Sequence, residues 1–222
     1  MLDVLQARMG RRVRALDLGC GPGSLSLRIL RRFPTARVTA VDYDPVVRQI
    51  GEGALGTFGG RLDWVDAKLG RSGWTDALPR SRYDAAVSTT ALHWLTPTAL
   101  ARLYRDLARL LRPGGVFLNG DYLPWGSRHP VLDDLASRVL KVRSPHRGGR
   151  NEWGAWSRWW REARRVPALR AAFEEHDRRS ASHPHRRDLT LDLHVRLLRV
   201  AGFRWTAVVW QDFENRVLLA VR

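Results

Sequence analysis

VRALDLGCGPGSLSLRIL, residues 13–30, decides how this chain is read. Its first part is apolar at Val13, Ala15, Leu16 and Leu18, the pattern of a strand buried on both faces. It then breaks at Gly19, Gly21, Pro22 and Gly23. Apolar residues return at Leu25, Leu27, Ile29 and Leu30, as on a buried helix. Strand, glycine turn and helix form half of a βαβ unit. The glycines open backbone conformations closed to other residues and let another group approach the main chain.

The glycine spacing is G-x-G-x-G, with Asp17 two residues ahead of it. It is neither the G-x-G-x-x-G of a dinucleotide fold nor the G-x-x-x-x-G-K-[ST] of a P-loop. A second strand is expected over Ala36–Asp42. Asp42 falls about twenty residues past the loop, where a carboxylate can take both hydroxyls of a ribose. Asp44-Pro45 supplies the cap of the next helix, which leaves Asp42 free for that task. Tyr43 is a candidate to pack on an adenine face. A third strand, Arg61–Val65, is followed by Asp66-Ala67, and a fourth is expected over Tyr83–Ser88.

Asp17-Leu18-Gly19-Cys20-Gly21-Pro22-Gly23 resembles motif I of the class I S-adenosylmethionine (SAM) dependent methyltransferases. Ala91-Leu92-His93-Trp94-Leu95 after strand four is similar to the small-molecule members, the trans-aconitate methyltransferase group among them. Leu111-Arg112-Pro113-Gly114-Gly115 before strand five is a further shared feature. The resemblance implies SAM as cofactor and S-adenosylhomocysteine as product. It implies that Asp17, Gly19, Cys20, Gly21 and Gly23 hold the methionine end and that Asp42 takes the ribose. Asp66 would meet the adenine amino group, the Ala67 N–H a ring nitrogen, and Ser88 and Thr89 would lie along the methionine end. It implies an α/β fold, a doubly wound Rossmann-like sheet of seven strands closed by an antiparallel hairpin.

Leu100, Leu103, Leu107, Leu110 and Leu111 mark a helix that stops at Arg112–Gly115, and Val116–Asp121 is strand five. The pattern then changes over 122–188, far longer than the usual strand-to-helix loop. We expect a helical insertion there, over the cofactor and substrate pocket, between a SAM-binding core (1–121) and a closing helix and hairpin (189–222). Leu193, Leu197, Leu198 and Val200 are expected on the inner side of that last helix. Trp153, Trp156, Trp159 and Trp160 sit at helical spacing and form either a substrate wall or the core of the insertion.

His93 is the candidate general base, with a role packed beside Trp94 as the alternative; His93, Trp94, Trp153 and Trp156 are the candidate substrate contacts. His176, His183, His185 and His194 lack the acidic partners and spacing of a metal site, so no metal is expected.

Hydrophobic residues make up 44% and charged residues 27% of the 222, and no apolar run has the length of a membrane span. The lone cysteine, Cys20, excludes an internal disulfide and suits a reducing cytoplasm. The net charge of +16 is nearly all arginine, since only Lys68 and Lys141 are lysine. That charge favours anionic partners, but it is spread along the chain, and the [DN]-P-P-[YF] pattern of nucleobase amine methyltransferases is missing. The favoured reading is methyl transfer to a small molecule, acidic or aromatic. An RNA or protein methyltransferase, and a SAM-binding protein without methyl transfer, are the alternatives. The lead-in MLDVLQARMGRR reads as the end of a helix. Where the family has closing helices before strand one, its brevity leaves the pocket more open or covered by a homodimer or partner subunit.

Overall fold

The computed structural model describes residues 1–10, 12–79, 82–125, 130–143, 150–179 and 189–222. Five parallel strands form its centre: β1 (Arg14–Leu18), β2 (Arg37–Asp42), β3 (Leu62–Asp66), β4 (Tyr83–Thr89) and β5 (Leu111–Tyr122). The hairpin β6 (Trp205–Asp212) and β7 (Asn215–Val221) completes the sheet, with β7 antiparallel to β5. The order is β3-β2-β1-β4-β5-β7-β6. Strand order reverses between β1 and β4, and ligands of open α/β sheets bind beyond the carboxyl ends at such a reversal.

The helices are α1 (Leu2–Met9), α2 (Ser24–Arg32), α3 (Pro45–Leu55), α4 (Pro97–Leu110), α5 (Pro130–Arg143), α6 (Arg150–Arg164), α7 (Arg170–Arg179) and α8 (Leu191–Val200). One face of the sheet packs Leu16, Val41 and Phe117 under Leu103 and Leu107 of α4 and Leu198 of α8. The other packs Ala15, Val38 and Leu118 against Leu5 of α1 and Ile29 and Leu30 of α2. A parallel strand must bury both its faces, which is why β1 reads as an almost unbroken apolar run. Each fully buried leucine contributes about 2 kcal/mol by apolar burial.

Side chains at the starts fix where α3, α4 and α8 begin. Asp44 accepts from the Val46 N–H at 2.8 Å with Pro45 in the first turn, and Thr96 accepts from the Ala99 N–H at 3.1 Å ahead of α4. Thr190 caps α8 through the Leu193 N–H at 3.2 Å.

Two details differ from the sequence reading. The expected turn over Arg112–Gly115 lies inside β5, which pairs with β4 from Leu111 onward and takes up the Pro-Gly step as a register shift opposite Tyr83–Ala85. On α8 the expected inner residue Val200 is 81% exposed, while His194 is fully buried in its stead. The reason is a partner: Tyr104 of α4 meets His194 Nδ1 at 2.5 Å, which pairs one of the two ring nitrogens inside the core.

Between β5 and α8 the described insertion consists of α5, α6, the turn Pro167–Leu169 and α7. Ala163, Leu169, Ala172 and Phe173 pack on Val46 of α3, so α6 and α7 dock on the β2–β3 side of the sheet.

Candidate cofactor and transfer site

The carboxyl ends of β1 and β2 meet at the glycine loop. The Gly19 and Cys20 N–H groups both donate to the Val41 carbonyl, at 2.8 and 3.1 Å, which folds the loop back onto β2. Gly19 has φ +65°, and a Cβ there would stand 2.4 Å from Ala91 Cβ, so only glycine fits. Gly21 has φ +53°, and a Cβ there would meet nothing within 4 Å: the loop presents bare backbone to open space.

Asp42, at the end of β2, accepts the Gly21 N–H on Oδ2 at 2.7 Å and the Asp44 N–H on Oδ1 at 2.9 Å. A carboxylate has about four acceptor positions, so two bonds leave capacity on each oxygen. Asp17 is 1% exposed and accepts the Ser26 hydroxyl at 2.6 Å, which ties the end of β1 to α2. Burial pushes its pKa up to about 6 against the pull of Ser26, with Asp42 raising it further. Burial also raises the Asp42 carboxyl, and raises the Cys20 thiol well above its ordinary value. A buried carboxylate and a half-buried one beside one loop make a site that favours a cation. Cys20 is a small, buried, protonated residue in the turn.

Asp66 ends β3 in register with Asp42. Its carboxylate is held by two arginines. Arg179 donates to Oδ1 at 2.8 Å and Oδ2 at 3.0 Å, and Arg48 donates to Oδ2 at 3.0 Å. The Ala67 N–H donates to the Asp42 carbonyl at 3.3 Å. The Tyr43 ring lies under the Arg179 guanidinium at 4.7 Å and near the Lys68 ammonium at 5.1 Å.

Across the reversal, Ser88 is buried and donates to the Leu18 carbonyl at 2.8 Å, joining β4 to β1. Thr89 ends β4 opposite Gly120. Thr90 has φ +49°, uncommon for a β-branched residue, and turns the chain toward Leu92–Trp94. His93 follows, 4.9 Å from the Trp94 ring. Its Nδ1 meets Asp121 Oδ1 at 2.7 Å, and its backbone N–H donates to Asp121 Oδ2 at 3.2 Å. Asp121, at the buried end of β5, also accepts the Tyr122 N–H at 2.9 Å. With Asp121 accepting from Nδ1, the imidazole carries its lone pair on Nε2.

The sequence reading did not single out Asp121, Ser26, Arg48 or Arg179. The strand-terminal acid before Tyr122 was the one available signal for Asp121. The tryptophan stripe does form one face, with Trp156 stacked on Trp159 at 5.1 Å and Trp160 edge-on to both. Trp160 then meets Phe173 and His176 of α7. Trp156 is 46% exposed, and its described ring contacts are with this cluster, not with His93. The Trp153 side chain, His183 and His185 lie outside the described residues. His176 pairs with Asp44 at 2.8 Å while His194 is buried against Tyr104, so these two histidines serve different places. Among the described residues no helix is long and apolar enough to cross a membrane.

Fold and sequence converge on one class. Residues 15–115 match the methyltransferase-domain family, and the chain has the architecture of the class I SAM-dependent methyltransferases. Among curated relatives, a trans-aconitate 2-methyltransferase of Azoarcus sp. (strain BH72) is 30% identical over 176 residues, 79% of this chain and 58% of the relative. An O-methyltransferase family protein of Burkholderia thailandensis superposes with a TM-score of 0.62 at 19% identity, over 100% of this chain and 55% of that one. Human N-acetylserotonin methyltransferase in complex with SAM gives 0.56 at 18% identity, over 96% and 47%. The chain thus spans about half the length of these relatives.

Proposed function

We propose that this chain binds SAM at the carboxyl ends of β1–β3 and transfers its methyl group to a small-molecule acceptor beside His93. The observation that carries the reading is one continuous edge. The bare Gly21 backbone, the buried carboxylate of Asp17 and the half-buried one of Asp42 stand on one side of the strand reversal. The His93–Asp121 pair stands on the other.

The residues fit such a cofactor. SAM, when bound, supplies a methyl group on a cationic sulfonium that leaves as neutral S-adenosylhomocysteine. A cationic ligand suits a site whose carboxylates are destabilised by burial. Gly21 gives room against the main chain, Asp42 has acceptor capacity for ribose hydroxyls, and Asp17 fixes the loop from beneath while adding negative potential. Gly19, Cys20 and Gly23 shape the loop, and Ser88 and Thr89 wall the side toward β4. Asp66, Ala67 and Tyr43 are the contacts proposed for the adenine.

His93 takes the proton of an acceptor hydroxyl or amine on Nε2, and Asp121 holds the ring in that tautomer and stabilises the imidazolium that forms. Trp94 beside it excludes water from the acceptor. The acceptor is proposed as an acidic or aromatic metabolite, the site of action as the cytoplasm, and residues 122–188 as the part that selects the substrate. Calorimetric titration with SAM, S-adenosylhomocysteine and NAD tests the reading. Binding of both adenosyl ligands without NAD is the expected result, and absence of adenosyl binding overturns it.

A further inference from the structure

The adenine end of the proposed cofactor site is filled by the chain itself. Adenine would need two things from it: a ring face to stack on and an acceptor for its amino group. Tyr43 and Asp66 are the groups assigned to those tasks, and Arg179 uses both. Its guanidinium lies 4.7 Å from the Tyr43 ring centroid and takes both Asp66 oxygens. The same Nη1 donates to the Tyr43 carbonyl at 2.8 Å, and Nε donates to Glu175 at 2.6 Å. A guanidinium and an aminopurine offer the same pair of features, a flat π-face and N–H donors in its plane, so the two compete for one place.

The rest of α7 fixes that arrangement. His176, one turn before Arg179, meets Asp44 Oδ2 at 2.8 Å while Asp44 Oδ1 caps α3. Phe173 and Ala172 pack on Val46, and Gln49 of α3 donates to the Ala168 carbonyl at 3.0 Å. The helix lies along α3, with its last residue over the ends of β2 and β3. Arg48 remains on Asp66 from the α3 side, so Asp66 keeps a counter-charge when Arg179 leaves.

We propose that α7 is a built-in cover for the adenine subsite, with Arg179 occupying the place of the adenine ring until SAM displaces it. The proposal rests on the reading of Tyr43 and Asp66 as adenine contacts. The apparent dissociation constant is then the intrinsic one divided by the fraction of molecules in which Arg179 has swung out. The device makes cofactor affinity a property of the insertion as well as of the glycine loop.

The test titrates the full chain and two variants with S-adenosylhomocysteine, and follows hydrogen exchange of α7 and α3. Arg179→Gln, which removes the planar cation, tightens binding about 10-fold if the open form is roughly a tenth of the population. Glu175→Gln loosens the brace on Nε and shifts affinity the same way by a smaller factor. In the native chain, ligand makes the α7 amides exchange faster and the α3 amides slower. Equal or weaker binding by Arg179→Gln, with Asp42→Asn weakening binding in the native background, overturns the cover and leaves the cofactor site standing. Absence of S-adenosylhomocysteine binding in every variant, or an Asp42→Asn variant that binds like the native chain, overturns the cofactor reading and the cover with it.

Discussion

The two sides of the strand reversal are built differently. At the glycine loop, on the β1–β2 side, the site is made by backbone. Gly19, Cys20, Gly21 and Asp44 donate main-chain N–H groups to Val41 and Asp42, all within one βαβ unit. On the β4–β5 side it is made by side chains that meet across the fold: His93 with Asp121, Tyr104 with His194. Backbone geometry is dictated locally by glycine and capping residues, whereas side-chain pairs depend on which strands and helices become neighbours. The first kind of site tolerates replacement of flanking side chains. The second is sensitive to each partner.

Separating the two sides kinetically should give the largest effect. His93→Ala is expected to lower the rate of methyl transfer by about 10²–10⁴-fold, the usual worth of a general base, with cofactor affinity unchanged. Asp121→Asn should follow it with a smaller loss and a displaced pH–rate profile. Equal loss of cofactor binding in His93→Ala, measured by calorimetry, would merge the two sides into one.

Acid stability sharpens the contrast, because Asp17 on one side and His194 on the other are buried groups shifted in opposite directions. Asp17 has its pKa raised to about 6 from the usual 3.8, so between those values the folded state holds the extra proton and stability falls as pH rises. His194 has its pKa lowered by burial to about 4 from 6.5, so over nearly the same window the unfolded state holds the extra proton and stability falls as pH drops. Each shift corresponds to about 3 kcal/mol, and the two slopes oppose one another between pH 4 and 6. Asp17→Asn should make the protein acid-labile in that window, and His194→Gln should make it more stable toward acid than the native chain. Urea midpoints at pH 4, 5 and 6 measure both, and parallel slopes in the two variants would refute the assignment.

Asp42→Ala should cost about 2–3 kcal/mol of S-adenosylhomocysteine binding, the range of a charge-assisted contact, and free the Gly21 N–H. Unchanged affinity would remove Asp42 from the site. The smallest effect sits within the backbone-built side. Gly51 and Gly53 are two residues apart on α3, yet a Cβ on Gly51 would stand 2.4 Å from the Trp64 ring and 2.9 Å from the Pro22 carbonyl, while one on Gly53 meets nothing within 4 Å. Gly51→Ala should therefore cost about 1–3 kcal/mol by overpacking, and Gly53→Ala should gain about 0.5–1 kcal/mol through helix propensity. Thermal unfolding distinguishes them.

The same division explains what could be read from the sequence. The strand-loop-helix at 13–30, the Asp42 position and the Asp44 cap depend on neighbours a few to twenty residues away, and each is where the spacing put it. Asp121 carries no such signal because its partner is 28 residues away in the turn after β4, and a lone acid at a strand end carries no mark of its mate. The insertion hid more. The helical spacing of Trp156, Trp159 and Trp160 predicted a shared face but not its direction, which is toward α7. Arg179 and Asp66 are 113 residues apart, and His176 and Asp44 are 132 apart. One arginine among so many, nearly all on a strongly charged chain, gives no sign of which acid it will meet. Val200 and His194 exchanged places for a related reason: hydropathy assigns burial by residue type, and the Tyr104 hydroxyl overrode it.

The near-contact between Gly19 and Ala91 joins the two sides mechanically. There is no room for even a methyl group between the cofactor loop and the segment that carries Thr90 to His93. Thr90 holds an uncommon backbone angle one residue before that contact, a conformation worth about 1–3 kcal/mol of strain. The glycine loop and the Thr90–His93 segment therefore rest directly on one another, so any side chain added at Gly19 would have to push that segment aside.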